Sequence, residues 1–126
     1  MNEEIISYFL PTGLLEYFII TKIEELEDTS LKGKKLQIEL EEKNEIPAGN
    51  DSSQYESKGF FPVKTIQDFP IRGKSVYLAI KRRRWRHKIN QSEIHNNYPL
   101  IASGSKMTQE LSDFLKSIGR DTGRYH

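Results

Sequence analysis

The 126-residue chain has no cysteine. Disulfides and thiolate metal sites are therefore excluded, and the composition fits a reducing cytoplasm. No apolar run approaches the roughly 18 residues that a membrane span requires. The N-terminus has no basic segment followed by an apolar stretch and a small-residue cleavage site. The expectation is a soluble, cytoplasmic protein with no membrane partner. A glycine-rich phosphate loop and a nucleophile elbow are also missing, since Gly73 and Gly104 stand alone. His87, His95 and His126 have neither a cysteine nor a close carboxylate pair to support metal ligation. No cofactor is expected, and the case for an enzyme is weak.

What the chain does contain is enough apolar material for one modest core. Hydrophobic residues make up 36%, charged residues 29% and aromatic residues 10%; an aromatic share of that size sets the chain apart from disordered sequences. The net charge of +1 conceals a division. Residues 1–57 hold 13 acids and 5 bases, a net of −8, whereas residues 58–126 hold 5 acids and 14 bases, a net of +9. Either the basic half meets a polyanion, or the two halves pack together and neutralise each other.

Periodicity predicts an α+β fold. Residues 3–10 read as a short helix, with Glu3 and Glu4 in the first turn, ended by Pro11 and Gly13. Tyr17–Glu27 reads as a strand. In Lys35–Glu42, Leu36, Ile38 and Leu40 alternate with polar residues, the mark of a half-buried strand, and the two segments make an antiparallel hairpin. Residues 48–59 are rich in turn formers and read as a linker between an acidic segment (1–47) and a basic one (60–120), with 121–126 as a tail and the whole as one compact unit. In the basic segment, Phe60–Phe69 reads as a strand, Pro70-Ile71-Arg72-Gly73 as a turn and Lys74–Arg86 as a second strand. Residues 87–97 read as loop and Pro99–Ala102 as an edge strand. A C-terminal helix follows, capped by Thr108, with Leu111, Phe114, Leu115 and Ile118 at helical spacing and Gly119 as its stop.

The candidate site is the run Lys81-Arg82-Arg83-Arg84-Trp85-Arg86-His87-Lys88, with six formal positive charges in eight residues. Charges this dense repel unless an anion neutralises them, and phosphate does so while releasing condensed counterions. On a continuing strand Arg82, Arg84 and Arg86 share one face, and Lys81, Arg83 and Trp85 the other. Arginine forks suit phosphate oxygens or guanine edges, and Trp85 is either a base-stacking platform or a core residue. Arg72 and Lys74 at the preceding turn complete the candidate nucleic-acid-binding set. The competing reading is a basic edge strand that only discourages aggregation. Asp68, an isolated acid among bases, is expected to pair with Arg72 or Lys74. Glu24, Glu25, Glu27 and Asp28 look like a solvated face.

The block Ser57-Lys58-Gly59-Phe60-Phe61-Pro62, then Thr65 to Lys74, then Val76-Tyr77-Leu78 and Arg82-Arg83-Arg84-Trp85, resembles a known family. It is similar to the N-terminal region of bacterial insertion-sequence transposases of the ISAon type, within the wider ISL-type group. Leu14 to Phe18, Leu40 to Pro47 and Ala102 to Thr108 extend the resemblance over most of residues 12–120; the stretch 48–56 matches least. In the wider group an Asp-hydrophobic-Pro turn and an arginine-rich strand sit in a small zinc-ribbon-like domain bounded by cysteine pairs. Without cysteines, the resemblance implies a small antiparallel β-sheet of ribbon-like form that holds no zinc. It further implies recognition of the element's terminal DNA, with the catalytic part encoded in an adjacent frame and a homodimer possible. The alternatives are a protein-interaction module whose basic strand docks an acidic partner, and a metal-dependent nuclease built on Asp68 and the early glutamates.

Overall fold

A computed structural model describes residues 3–29, 33–99 and 106–122. The chain is α+β, with two sheets, a short N-terminal helix and a C-terminal helix. Helix α1 spans Glu3–Ser7 and is shorter than the 3–10 reading, because the chain turns at 8–10. Helix α2 (Leu14–Tyr17) leads into β1 (Phe18–Asp28), which pairs antiparallel with β2 (Gly33–Glu42). After a 3-10 turn at Ser52–Gln54 come β3 (Tyr55–Phe60), β4 (Lys64–Ile71), β5 (Lys74–Lys81), β6 (Arg83–His87) and β7 (Glu93–Ile94). Helix α3 covers Gln109–Thr122.

The larger sheet has the order β1-β2-β5-β4, and the smaller one β3-β6-β7. Two antiparallel hairpins, β1–β2 and β4–β5, meet through a parallel pairing of β2 with β5, from Lys35↔Ser75 to Glu41↔Lys81. The expected single antiparallel sheet is thus two sheets, one of them mixed. The acidic and basic segments are neighbours at the centre of the larger sheet, and part of the presumed linker, 55–59, belongs to β3.

Two segments that read as single strands are divided between the sheets. Phe60–Phe69 breaks at Phe61-Pro62-Val63, which hands the chain from β3 to β4. Lys74–Arg86 breaks at Arg82, which hands it from β5 back to β6. At that break Arg82 O accepts from Phe61 N at 2.9 Å, and Arg83 N–H donates to the Glu42 carboxylate at 2.8 Å. A buried acid thus takes the amide that would otherwise extend the β5 ladder. The turn into β5 is tighter than expected: Pro70 and Ile71 lie in β4, leaving Arg72 and Gly73 as a two-residue loop with φ of 53° and 77°. Both φ values are positive, as the type I′ hairpin requires. Arg72 bears the Cβ penalty of that region, about 1–2 kcal/mol.

The core lies on one face of the larger sheet. Ile38, Leu40, Ile66, Val76, Leu78 and Ile80 are buried there beneath Leu10, Leu14 and Phe18. Each side chain of this kind contributes about 1.5–3 kcal/mol on burial. Tyr98 closes the end of the cluster, its ring centroid 4.9 Å from Phe18 and 5.4 Å from Tyr17.

Helix α3 begins as its sequence predicts. Thr108 Oγ1 accepts from Leu111 N at 3.3 Å, the N-cap bond. Backbone bonds Gln67 N to Lys106 O and Thr108 N to Gln67 O, 2.8 and 2.9 Å, lay residues 106–108 along the edge of β4. Gly119 does not stop the helix, which runs on to Thr122. Of the apolar stripe, only Leu111 is buried, while Phe114, Leu115 and Ile118 stay 40–49% exposed. Residues 100–102 of the expected edge strand lie outside the described residues.

Candidate nucleic-acid interface

Along β6 the side chains alternate as its sequence predicts, but the break at Arg82 changes what each face meets. Val76, Leu78 and Ile80 are buried at even positions of β5; after the break the buried residue is Trp85, at an odd one. Had the strand continued flat, Arg82, Arg84 and Arg86 would have followed the core face of β5. Instead they form a half-buried row on the opposite side of β6 from Trp85.

Phe61 underlies that row. The Arg82 and Arg84 guanidinium carbons lie 5.1 and 5.5 Å from its ring centroid, and His95 meets the ring edge-on at 5.2 Å. Stacking on an aromatic face holds a guanidinium plane without consuming its η nitrogens. Arg84 and Arg86 are alternate residues of β6, about 6.6 Å apart along the strand, and Arg82 sits at the break before it. The Nε atoms of Arg82, Arg84 and Arg86 are covered and lack a hydrogen-bond partner. Covered donors left without a partner cost stability.

Carboxylates already meet part of this charge. Arg84 Nε is 3.2 Å from Glu93 Oε1, an ion pair whose N–H is not aligned for a hydrogen bond, and Arg86 is 3.0 Å from Glu56. The Lys58 ammonium bonded to Glu93, reinforced by Arg84 and Arg86, holds the Glu93 carboxyl below the usual range. Arg82 is the member of the row with no ion pair to a carboxylate among the described residues. The neutralising reading of the charge division is therefore partly realised.

The other residues of the candidate set fall into three groups. Arg83 is structural: its Nε donates to Glu42 O at 2.8 Å, an η nitrogen donates to Ser57 Oγ, and the other lies 3.6 Å from Glu41. Lys81 and Lys88 are exposed at the two ends of the run; Lys81 lies over Phe60, and Lys88 donates to Ser53 O at 2.9 Å. Arg72 and Lys74 are not brought to the site. They sit at the far end of β5, about 23 Å from Lys81 at the rise of a strand, where Lys74 approaches Glu25 at 3.9 Å.

Trp85 is removed from the candidate set. Its side chain is fully buried, with Nε1 donating to Asn44 Oδ1 at 2.9 Å, so it has no face to offer a base. The sequence signal for this was the Asn44 in the preceding segment, too distant in sequence to connect by spacing.

Comparison of the chain with family models, with curated proteins and with solved structures finds no match in any of the three.

Sequence reasoning missed the Glu42 site altogether. Glu42 is 2% exposed, yet its two oxygens accept from Arg83 N, from Asn96 Nδ2 at 3.1 Å and from the Tyr98 hydroxyl. Burial, and then the neighbouring Glu42 carboxylate, push the Tyr98 hydroxyl well above its ordinary range. The site ties the end of β2 to the start of β6, so it fixes where the arginine row begins. His87 is also a satisfied residue: Nδ1 accepts from Ile89 N and Asn90 N at 3.2 Å each, which leaves Nε2–H to donate to Gln54.

Asp68 corrects another expectation. It pairs with neither Arg72 nor Lys74; it is 2% exposed and accepts from Thr108 Oγ1 at 2.9 Å. Burial pushes its carboxyl above the ordinary value, against the hydrogen bonds from Thr108 and Phe69 N. With a raised folded-state pKa, the native protein holds the proton more tightly than the unfolded chain. Stability then falls as pH rises from about 3.8 through the raised value, and the penalty is constant above it. Asp68→Asn keeps an acceptor for Thr108 and removes the buried charge. Thermal melts at pH 7 should show this variant at least as stable as the parent, without the Asp68 share of the fall in stability as pH rises above about 3.8; a destabilised variant would reject this assignment. Among the described residues there is no group of three or more His, Asp and Glu that could hold a metal ion.

Proposed function

We propose that this chain is the DNA-binding N-terminal region of an insertion-sequence transposase, gripping the phosphate backbone along the outward face of β6. The observation that carries the reading is the half-buried row Arg82, Arg84 and Arg86, of which Arg82 and Arg84 lie over the Phe61 ring and Arg82 has no ion pair to a carboxylate among the described residues. Such a row suits phosphates spaced along a nucleic-acid strand, and with Trp85 withdrawn it offers positioning rather than base stacking. The transposase assignment rests on the sequence resemblance. It gains coherence from the way the resembling segments meet: Glu42 with Arg83, Asn44 with Trp85, Asp68 with Thr108, and Phe61 with Arg82. In this reading the catalytic part is encoded in an adjacent frame, and the present chain binds element ends without cutting them.

Fluorescence anisotropy with labelled duplex DNA tests the reading. Three to four phosphate contacts should give a slope of about −3 for log K against log salt, from roughly −0.9 per phosphate. Absence of DNA binding at low salt would overturn it. One observation favours a second reading, a protein partner with an acidic surface: Arg83, Arg84 and Arg86 already accept carboxylates. A partner recovered by pull-down that survives nuclease treatment, with no DNA affinity, would favour that alternative.

A further inference from the structure

Acidic side chains flank the arginine row unevenly. Strand register sets Glu56 of β3 directly across from Arg86, and Glu93 of β7 directly across from it on the other side. Opposite charges in such cross-strand positions attract. At Arg84 the β3 neighbour is Gly59, which has no side chain to offer, and the pairing falls to Glu93 at 3.2 Å. Glu93 also holds Lys58 at 3.2 Å. Arg82 stands outside all the ion pairs formed among the described residues. Carboxylate cover thus declines from the Arg86 end of the row to the Arg82 end.

We propose, resting on the phosphate-binding reading of β6, that Glu56 and Glu93 compete with the nucleic-acid backbone for this row. They hold Arg86, Arg84 and Lys58 in the free protein and yield them when phosphate arrives. The exposures favour displacement. The Glu56 and Glu93 side chains are 45% and 43% exposed, against 35% and 30% for the Arg86 and Arg84 side chains that they hold. A carboxylate can swing into water while Arg84 keeps its place over the Phe61 ring. With Lys58 above all holding its pKa below the ordinary value, Glu93 is charged throughout the neutral range and the competition persists there.

Engagement starts at Arg82, which has no acid to shed. Phosphates further along the same strand then arrive at high local concentration and replace Glu93 and Glu56. Ion pairs this exposed are weak, so each of the three holds affinity back by only about twofold.

Fluorescence anisotropy with labelled duplex DNA compares the full chain with the double variant E56Q/E93Q. Glutamine keeps the shape of each exposed side chain and removes its charge. The double variant should bind about eightfold tighter than the parent, since three pairs no longer compete. Its control is E16Q/E45Q, which removes two exposed acids from outside the smaller sheet and changes the net charge equally. At about 0.15 M salt, where charges that do not touch the row are screened, the control should gain less than about twofold. Arg86→Ala should cost E56Q/E93Q more affinity than it costs the parent, because only in that variant is Arg86 free of carboxylates from the start. Parent-like affinity in E56Q/E93Q, an equal gain in E16Q/E45Q, or the same Arg86→Ala loss in both backgrounds overturns the inference and leaves the DNA reading standing. Absence of binding by both the parent and E56Q/E93Q overturns that reading and the inference with it.

Discussion

Replacing Arg82 and Arg84 together by alanine should weaken DNA binding by about one to two orders of magnitude at moderate salt, while leaving the melting temperature close to that of the parent. The size follows from removing two charge-assisted phosphate contacts, each contributing about 1.5–3 kcal/mol before the entropy of ordering is subtracted. The salt dependence should flatten by about 2 in slope, because two fewer counterions are released. The loss should be similar for unrelated duplex sequences, since phosphate contacts position the protein without reading bases. Arg83→Ala should behave differently. Its guanidinium is occupied by Glu41, Ser57 and the Glu42 backbone, so its removal disturbs the β2–β6 junction more than the binding face. Anisotropy titrations at several salt concentrations separate these cases. An unchanged affinity and slope for the Arg82/Arg84 variant would remove DNA from the row.

The largest effect on stability is expected at Trp85. Trp85→Ala should cost about 3–5 kcal/mol, the range for emptying a large buried aromatic site. The side chain is completely enclosed and its Nε1–H is satisfied by Asn44, so truncation leaves both a cavity and an unpartnered amide oxygen. Trp85→Phe retains most of the volume and loses only the indole donor, so it should cost less. If Trp85 is a core residue, the Phe variant should bind DNA like the parent under conditions where it is folded. Urea unfolding monitored by circular dichroism, paired with anisotropy, gives both quantities. A Phe variant that is stable but loses most of its affinity would return Trp85 to the binding surface.

How much of this could be read from residues alone differs from element to element. The β1–β2 hairpin is local: Leu36, Ile38 and Leu40 alternate, and the partner strand is adjacent in sequence. The start of α3 is local too, because an N-cap threonine followed by an apolar stripe carries its own hydrogen-bond and burial logic. The Arg72-Gly73 turn is legible to within two residues, because Pro70 and Gly73 punctuate the sequence there. The strand breaks at Phe61-Pro62-Val63 and Arg82 were not legible, since Arg82 sits in a run that favours extension on both sides. Its break depends on Glu42, about forty residues earlier in the chain.

The basic run Lys81–Lys88 shows the same division. Its composition and its period-two alternation, which places Arg82, Arg84 and Arg86 on one face and Arg83 and Trp85 on the other, follow from the sequence, because side-chain direction in a strand is set by backbone geometry. Which face is covered was decided by tertiary structure. The buried Glu42 carboxylate claims the Arg83 amide and redirects the strand, Asn44 draws Trp85 inward, and Phe61 comes to lie under Arg82 and Arg84. These partners come from segments far apart along the chain. Local propensity carries no information about such pairings, and only the closing of the two sheets against each other brings them within reach.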